Sequence, residues 1–176
     1  LRLNDNAKAA RLLDAARMAS FIAQETGFSA LDITTLVLGG YGDAVVPLVR
    51  FCTINGIPVS HFLSEERLAA IVERTRKGGA EILALRKNSS AYDAPAAAVA
   101  TMVDAIVRNR RRLLPCVAIL EGEYGEADIA MGVPCILSER GMESVVELNL
   151  NDRERAAFAQ TVSSARADVE RLGAPR

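Results

Sequence analysis

Leu36-Val37-Leu38-Gly39-Gly40-Tyr41-Gly42-Asp43-Ala44-Val45-Val46-Pro47-Leu48 is the stretch on which the reading of this chain turns. An apolar run enters a Gly-X-Gly-Asp turn and a second apolar run leaves it. Glycines on either side of one residue free the backbone to turn sharply and to display the side chain between them. Tyr41 is therefore a candidate functional residue, and turn geometry alone is the plainer explanation of the pattern.

Upstream, residues 5–26 are rich in alanine and carry Leu12, Leu13, Ala16, Phe21 and Ile22 at helical spacing, which predicts a buried helix stopped by Gly27. Residues 33–38 are β-branched and apolar and predict a strand running into the glycine turn. Downstream, residues 45–54 read as short strand or extended chain, closed by Asn55-Gly56-Ile57-Pro58. Ser64 followed by Glu65 and Glu66 predicts a helix start with acidic groups at its positive end. In that helix the pair Gly78-Gly79 implies a bend or a close approach by another backbone. A third helix is expected over 94–107, with Pro95 in its first turn. Strands are expected at 113–120, 129–137 and 144–150. Asn151 with Glu154 then makes a capping-box start for a last helix, 152–172. The pattern is α+β, one domain with helices packed on small, mainly antiparallel sheets.

Composition narrows the function. The 176 residues are 50% hydrophobic and 24% charged with net charge −1, so nucleic-acid binding has no electrostatic footprint. The basic run Arg108-Asn109-Arg110-Arg111-Arg112 reads as a helix C-terminus. No apolar run approaches the roughly 20 residues of a membrane span, and nothing at the start reads as a signal peptide. Cys52, Cys116 and Cys135 are far apart, which predicts reduced core residues of a cytoplasmic protein and no metal site. The single histidine, His61, reads as a surface or cap residue. The first residue is Leu1 rather than methionine, as expected of a processed, trimmed or excised segment. No Gly-X-Gly-X-X-Gly and no P-loop occur in the sequence.

Several blocks in order resemble the NAD-dependent malate and lactate dehydrogenases, in particular malate dehydrogenases of the lactate-dehydrogenase-like type. They are Leu13-Asp14-Ala15-Ala16-Arg17, the glycine turn, Asn55-Gly56-Ile57-Pro58, Val72-Glu73-Arg74-Thr75-Arg76-Lys77-Gly78-Gly79-Ala80-Glu81-Ile82, Ser90-Ala91-Tyr92-Asp93-Ala94-Pro95-Ala96-Ala97-Ala98, Leu114-Pro115-Cys116, Leu120-Glu121-Gly122-Glu123-Tyr124-Gly125 and Gly132-Val133-Pro134. The likeness is to the C-terminal, substrate-binding and catalytic half, over residues 1–176, with the dinucleotide-binding half absent from this chain. It implies that Arg17 clamps a substrate carboxylate, that Asp14 orients the catalytic base, and that Ser90 is the small hydroxyl residue beside the substrate. It also implies that Tyr41 stands where the family has its catalytic histidine. Read on spacing alone, Asp14 and Arg17 make an i,i+3 ion pair on one helix face, and Ser90 is a serine leading into a helix.

An imidazole titrates near neutrality and can both give and take the proton that accompanies hydride transfer. A phenol, with a reference value near 10, would need to fall by about three units, roughly 4 kcal/mol, to act as a base at pH 7. An anionic Asp14 beside it would push it the other way. The expected function is thus a malate-dehydrogenase-like C-terminal domain, catalytically inactive, serving as a binding or assembly module. The alternative is the substrate-binding half of an NAD-dependent malate or lactate dehydrogenase that acts with its dinucleotide-binding half. A structural protein using only the family's dimerising surface is the third reading. The implied partners are a small dicarboxylate and a second copy or further domain, with no membrane insertion. NAD is implied by the family and no cofactor for this chain alone.

Overall fold

The structure, a computed structural model, describes residues 5–40, 44–87, 92–171 and 173, with the side chains of 5–10 left aside. The first helix, α1, spans Asp5–Thr26. The expected strand that follows it is divided in two: β1 (Ile33–Thr34) and β2 (Val37–Gly39) belong to different sheets. At the break, Thr35 donates its hydroxyl to the Ala15 carbonyl at 2.6 Å, so the chain is tied to α1 where it changes sheet.

β3 (Val45–Pro47) returns antiparallel to β2, with Gly39 opposite Val45. The rest of the expected extended region is a 3-10 turn, Val49–Phe51, and the short β4 (Thr53–Ile54). β4 and β5 (Ile57–Pro58) form a two-residue hairpin through Asn55 and Gly56, both at positive φ as a twist-matched turn requires. α2 follows as Glu65–Arg86, with the Ser64 hydroxyl accepting from the Arg67 amide at 3.3 Å. It runs unbroken through Gly78 and Gly79. The close approach there comes from a side chain, Arg17, and not from a backbone.

α3 is Asp93–Val107, and Arg108 and Arg110 turn back from its end onto Asp104 at 3.1 and 2.9 Å. β6 (Arg112–Glu121), β7 (Ala127–Ser138) and β8 (Gly141–Val145) form an antiparallel meander. The expected third strand of this group ends early. Beyond Val145 the Val146 amide still donates to the Pro134 carbonyl of β7 at 2.8 Å, while the Tyr124 hydroxyl donates to the Val146 carbonyl at 3.0 Å and accepts from the Leu148 amide at 3.1 Å. α4 (Asp152–Arg171) begins in a reciprocal capping box between Asn151 and Glu154.

All strand pairs are antiparallel, in a three-stranded sheet ordered β1-β4-β5 and a five-stranded sheet ordered β3-β2-β7-β6 with β8 on β7. Strands β2 and β3 form the wall between two apolar cores. Leu38 and Val46 face the core under α3 and α4, while Val37 and Val45 face the one around α1 and α2. Strands buried on both faces need the unbroken apolar runs seen on either side of the glycine turn. Cys52, Cys116 and Cys135 are all buried and free of disulfides. His61 is exposed.

Candidate functional site

α1 buries more than the face its leucines suggest, on which Ile22 is fully buried and Leu12 and Phe21 pack against the cores. Leu12 and Leu13 are half-buried and Ala16 is exposed, whereas Arg11, Asp14, Ala15, Met18, Ala19 and Ile22 are buried. The stripe Arg11, Asp14, Arg17 runs along one side at i, i+3, i+6. Arg11 is 1% exposed and its Nη2 lies 2.9 Å from Asp14 Oδ2. Arg17 Nη1 donates to Asp14 Oδ1 at 2.8 Å, and its side chain is 22% exposed. The expected Asp14–Arg17 pair is therefore present, with a third member that spacing could have shown: two overlapping i,i+3 charge pairs on a helix otherwise apolar on that side.

Burial pushes the Asp14 carboxyl above its ordinary value, against the pull of Arg11, then Arg17. Arg17 is seated by α2: a Cβ on Gly78 would stand 3.1 Å from Arg17 Cδ. The Gly78-Gly79 pair thus gives the arginine its channel. Among the described residues Arg17 donates only to Asp14, through Nη1, so Nε and Nη2 remain for a ligand. That is the geometry of a half-engaged fork, able to take one further carboxylate.

The glycine turn begins beside this stripe. Gly39 has φ +100°, and the Gly40 amide donates to the Ala44 carbonyl at 3.1 Å, closing the base of the turn. Gly39 pairs with Gly132 of β7, against which the Arg11 stem lies. Tyr41 and Ser90, two of the expected site residues, lie outside the described residues. Next to the turn a cleft of about 570 Å³ opens between β3, α2 and α4; Ala44, Arg76, Lys77 and Thr161 line it, and Arg17 does not.

Among the described residues no three His, Cys, Asp or Glu side chains stand together as a metal site. Burial pushes the Cys52 thiol up to about 11, which makes it a poor nucleophile. Among the described residues there is no parallel strand pair and no glycine-rich strand-to-helix turn.

The site thus holds an arginine half-engaged by an aspartate, on a helix packed beside a glycine turn. The chain belongs to the lactate/malate dehydrogenase family: the model of that family's alpha/beta C-terminal domain matches residues 12–174. Among its relatives are a malate dehydrogenase of Thioalkalivibrio sulfidiphilus, 64% identical over 163 residues, and a probable malate dehydrogenase of Pseudomonas putida, 58% identical over 165. These matches cover 93% and 94% of this chain but 53% and 59% of the relatives, so the chain spans little more than half their length. The fold matches the malate dehydrogenase of Cryptosporidium parvum with a TM-score of 0.90 at 33% identity, over 93% of this chain and 54% of that one. A lactate dehydrogenase of Eimeria maxima, solved with NADH and oxamate, matches with a TM-score of 0.90 at 30% identity, over 94% of this chain and 51% of that one.

Proposed function

We propose that this chain is the carboxylate-binding half of a malate-dehydrogenase-type protein in which proton transfer is lost, so that it serves as a binding or assembly module. The observation that carries the binding reading is Arg17, fixed by Asp14 at 2.8 Å through one nitrogen and held against Gly78, with the rest of its fork open. The ligand class is a small dicarboxylate such as malate or oxaloacetate. Arg17 takes one carboxylate, Asp14 fixes the arginine, and Ser90 supplies a hydroxyl. Tyr41, in place of histidine, can donate a hydrogen bond but is a weak base at neutral pH. NAD is the cofactor the family implies.

The Asp14–Arg17 site is tested by titrating malate into the labelled chain and following its NMR signals. Signals around Arg17 should move, and Arg17→Ala should abolish the effect. Shifts that survive the substitution would place the ligand elsewhere.

A second reading is favoured by one observation, the 64% identity to a protein named malate dehydrogenase. In it the chain is the substrate half of an active enzyme and works when joined to a dinucleotide-binding half. Self-association belongs to both readings, through the exposed, apolar stripe of α3. A cytoplasmic setting is consistent with three buried cysteines and no disulfide, and among the described residues no helix is long and apolar enough to cross a membrane.

A further inference from the structure

Arg11 heads the fully buried side chains, an unusual place for a guanidinium. Taking such a cation out of water is costly unless an opposite charge meets it in good geometry. Asp14 does so, through Oδ2 at 2.9 Å. The stem of Arg11 lies across Gly132, where a Cβ would collide with Arg11 Cγ and Cδ and stand 2.8 Å from the Gly39 carbonyl oxygen. Gly132 and Gly39 are the paired residues that join β7 to β2. Arg11 thus connects three things: the carboxylate of α1, the strand bridge, and the first residue of the glycine turn.

We infer that Arg11 is a positioning residue that keeps the Arg17 fork available to a ligand by holding Asp14 to a single contact with it. This rests on the reading of Arg17 as the carboxylate-binding residue. The Asp14 side chain has two oxygens, and Arg17 can match both with two parallel N–H bonds, the preferred geometry of such a pair. In that bidentate arrangement Asp14 would occupy the donors a substrate carboxylate needs. Arg11 opposes it by drawing Oδ2 to its own Nη2 at 2.9 Å, while Arg17 meets Oδ1 through Nη1 at 2.8 Å. The two arginines divide one carboxylate, and the nitrogens left over on Arg17 become the binding site. The bridge under Gly132 fixes the Arg11 stem, so this division is in register with the turn that carries Tyr41.

The test compares Arg11→Met, which keeps the stem over Gly132 and removes the charge, with Arg11→Lys, which keeps a charge but loses the fork. Each is titrated with malate by NMR, and the Asp14 carboxyl is followed against pH by carbon-13 NMR. Arg11 and Arg17 are the charged groups acting on Asp14 among the described residues. Both variants should bind malate about tenfold more weakly, within the range for residues sharing one ion-pair network. The Asp14 midpoint should rise by about one unit in Arg11→Met, and less in Arg11→Lys. Parental affinity for malate in either folded variant overturns the proposal. If Arg11→Met fails to fold, Arg11→Lys alone decides on the same criterion. A parent chain that does not bind malate sinks the carboxylate reading only; an Asp14 midpoint unmoved by either variant then sinks the hold of Arg11 on Asp14.

Discussion

Asp14 sits between two guanidinium groups and is itself buried, so its two environments act in opposite directions. Desolvation prevails and its carboxyl is raised in the folded chain. A raised acid holds its proton longer when folded than when unfolded, so this group favours folding at low pH and loses that contribution as pH rises from the ordinary carboxylate range through its raised value. Asp14→Asn should remove that slope. At neutral pH it should leave stability level or slightly higher, because the amide stands in for the neutral carboxyl that burial favours. Urea unfolding from pH 4 to pH 7 measures both, and an unchanged slope would assign it to other carboxyls. At Tyr41 the argument is chemical. Joined to a relative's dinucleotide-binding half, the chain should reduce oxaloacetate poorly. Tyr41→His should raise turnover by about 10²–10⁴-fold, the usual contribution of a positioned acid/base group. Equal rates for the two chimeras would mean that the phenol suffices and would favour the active-enzyme reading.

At the scale of elements, α1 and α2 meet through an arginine and two glycines. A glycine inside a helix weakens it by roughly 0.8–1 kcal/mol relative to alanine, so Gly78 trades helix stability for the space Arg17 occupies. Gly78→Ala should therefore separate stability from binding. Its Cβ would press on Arg17 Cδ from 3.1 Å, which the long side chain can relieve by shifting. The midpoint of urea unfolding should rise, and malate affinity should fall because the fork is displaced. A variant that gains stability and keeps its affinity would show that the position of Arg17 is not set by α2.

For the molecule as a whole, the surface of α3 is the feature left to explain. Ala96, Ala100, Val103 and Val107 follow one another at spacings of four, three and four and are all exposed, Val103 by 49% and Val107 by 76%. The only charges on this helix are Asp93 and Asp104. Small residues at that spacing allow two helices to approach closely, so a second copy is the expected occupant. Light scattering should give twice the chain mass of 18.9 kDa at high concentration. Val103→Glu with Val107→Glu should return a folded monomer. A parent chain that stays monomeric throughout would leave the stripe to some other domain.

Much of this molecule was legible in its sequence because local rules wrote it there. The capping box at Asn151 and Glu154, the Asn55-Gly56 hairpin and the Ser64 cap are each settled within four residues, and each is found where its spacing puts it. The family blocks likewise fixed the domain and the Asp14–Arg17 pair. What sequence misread depended on partners far along the chain. Residues 33–38 look like one strand, but Thr35 is drawn to α1 and divides it between two sheets. The segment beyond Val145 has strand composition, yet after the Val146 amide its bonding passes to Tyr124, more than 20 residues earlier, which meets the Val146 carbonyl and the Leu148 amide. Gly78-Gly79 announced a close approach without saying that an arginine makes it. Arg11, as a charged residue, reads as exposed in the sequence, and only a carboxylate on its own helix and a glycine on β7 enclose it. Turns, caps and spacing are decided by short-range sterics and hydrogen bonds, and the sequence determines them by itself. Which face of a helix is buried, and which charge is sheltered there, is decided only when distant elements pack, because burial belongs to the whole fold.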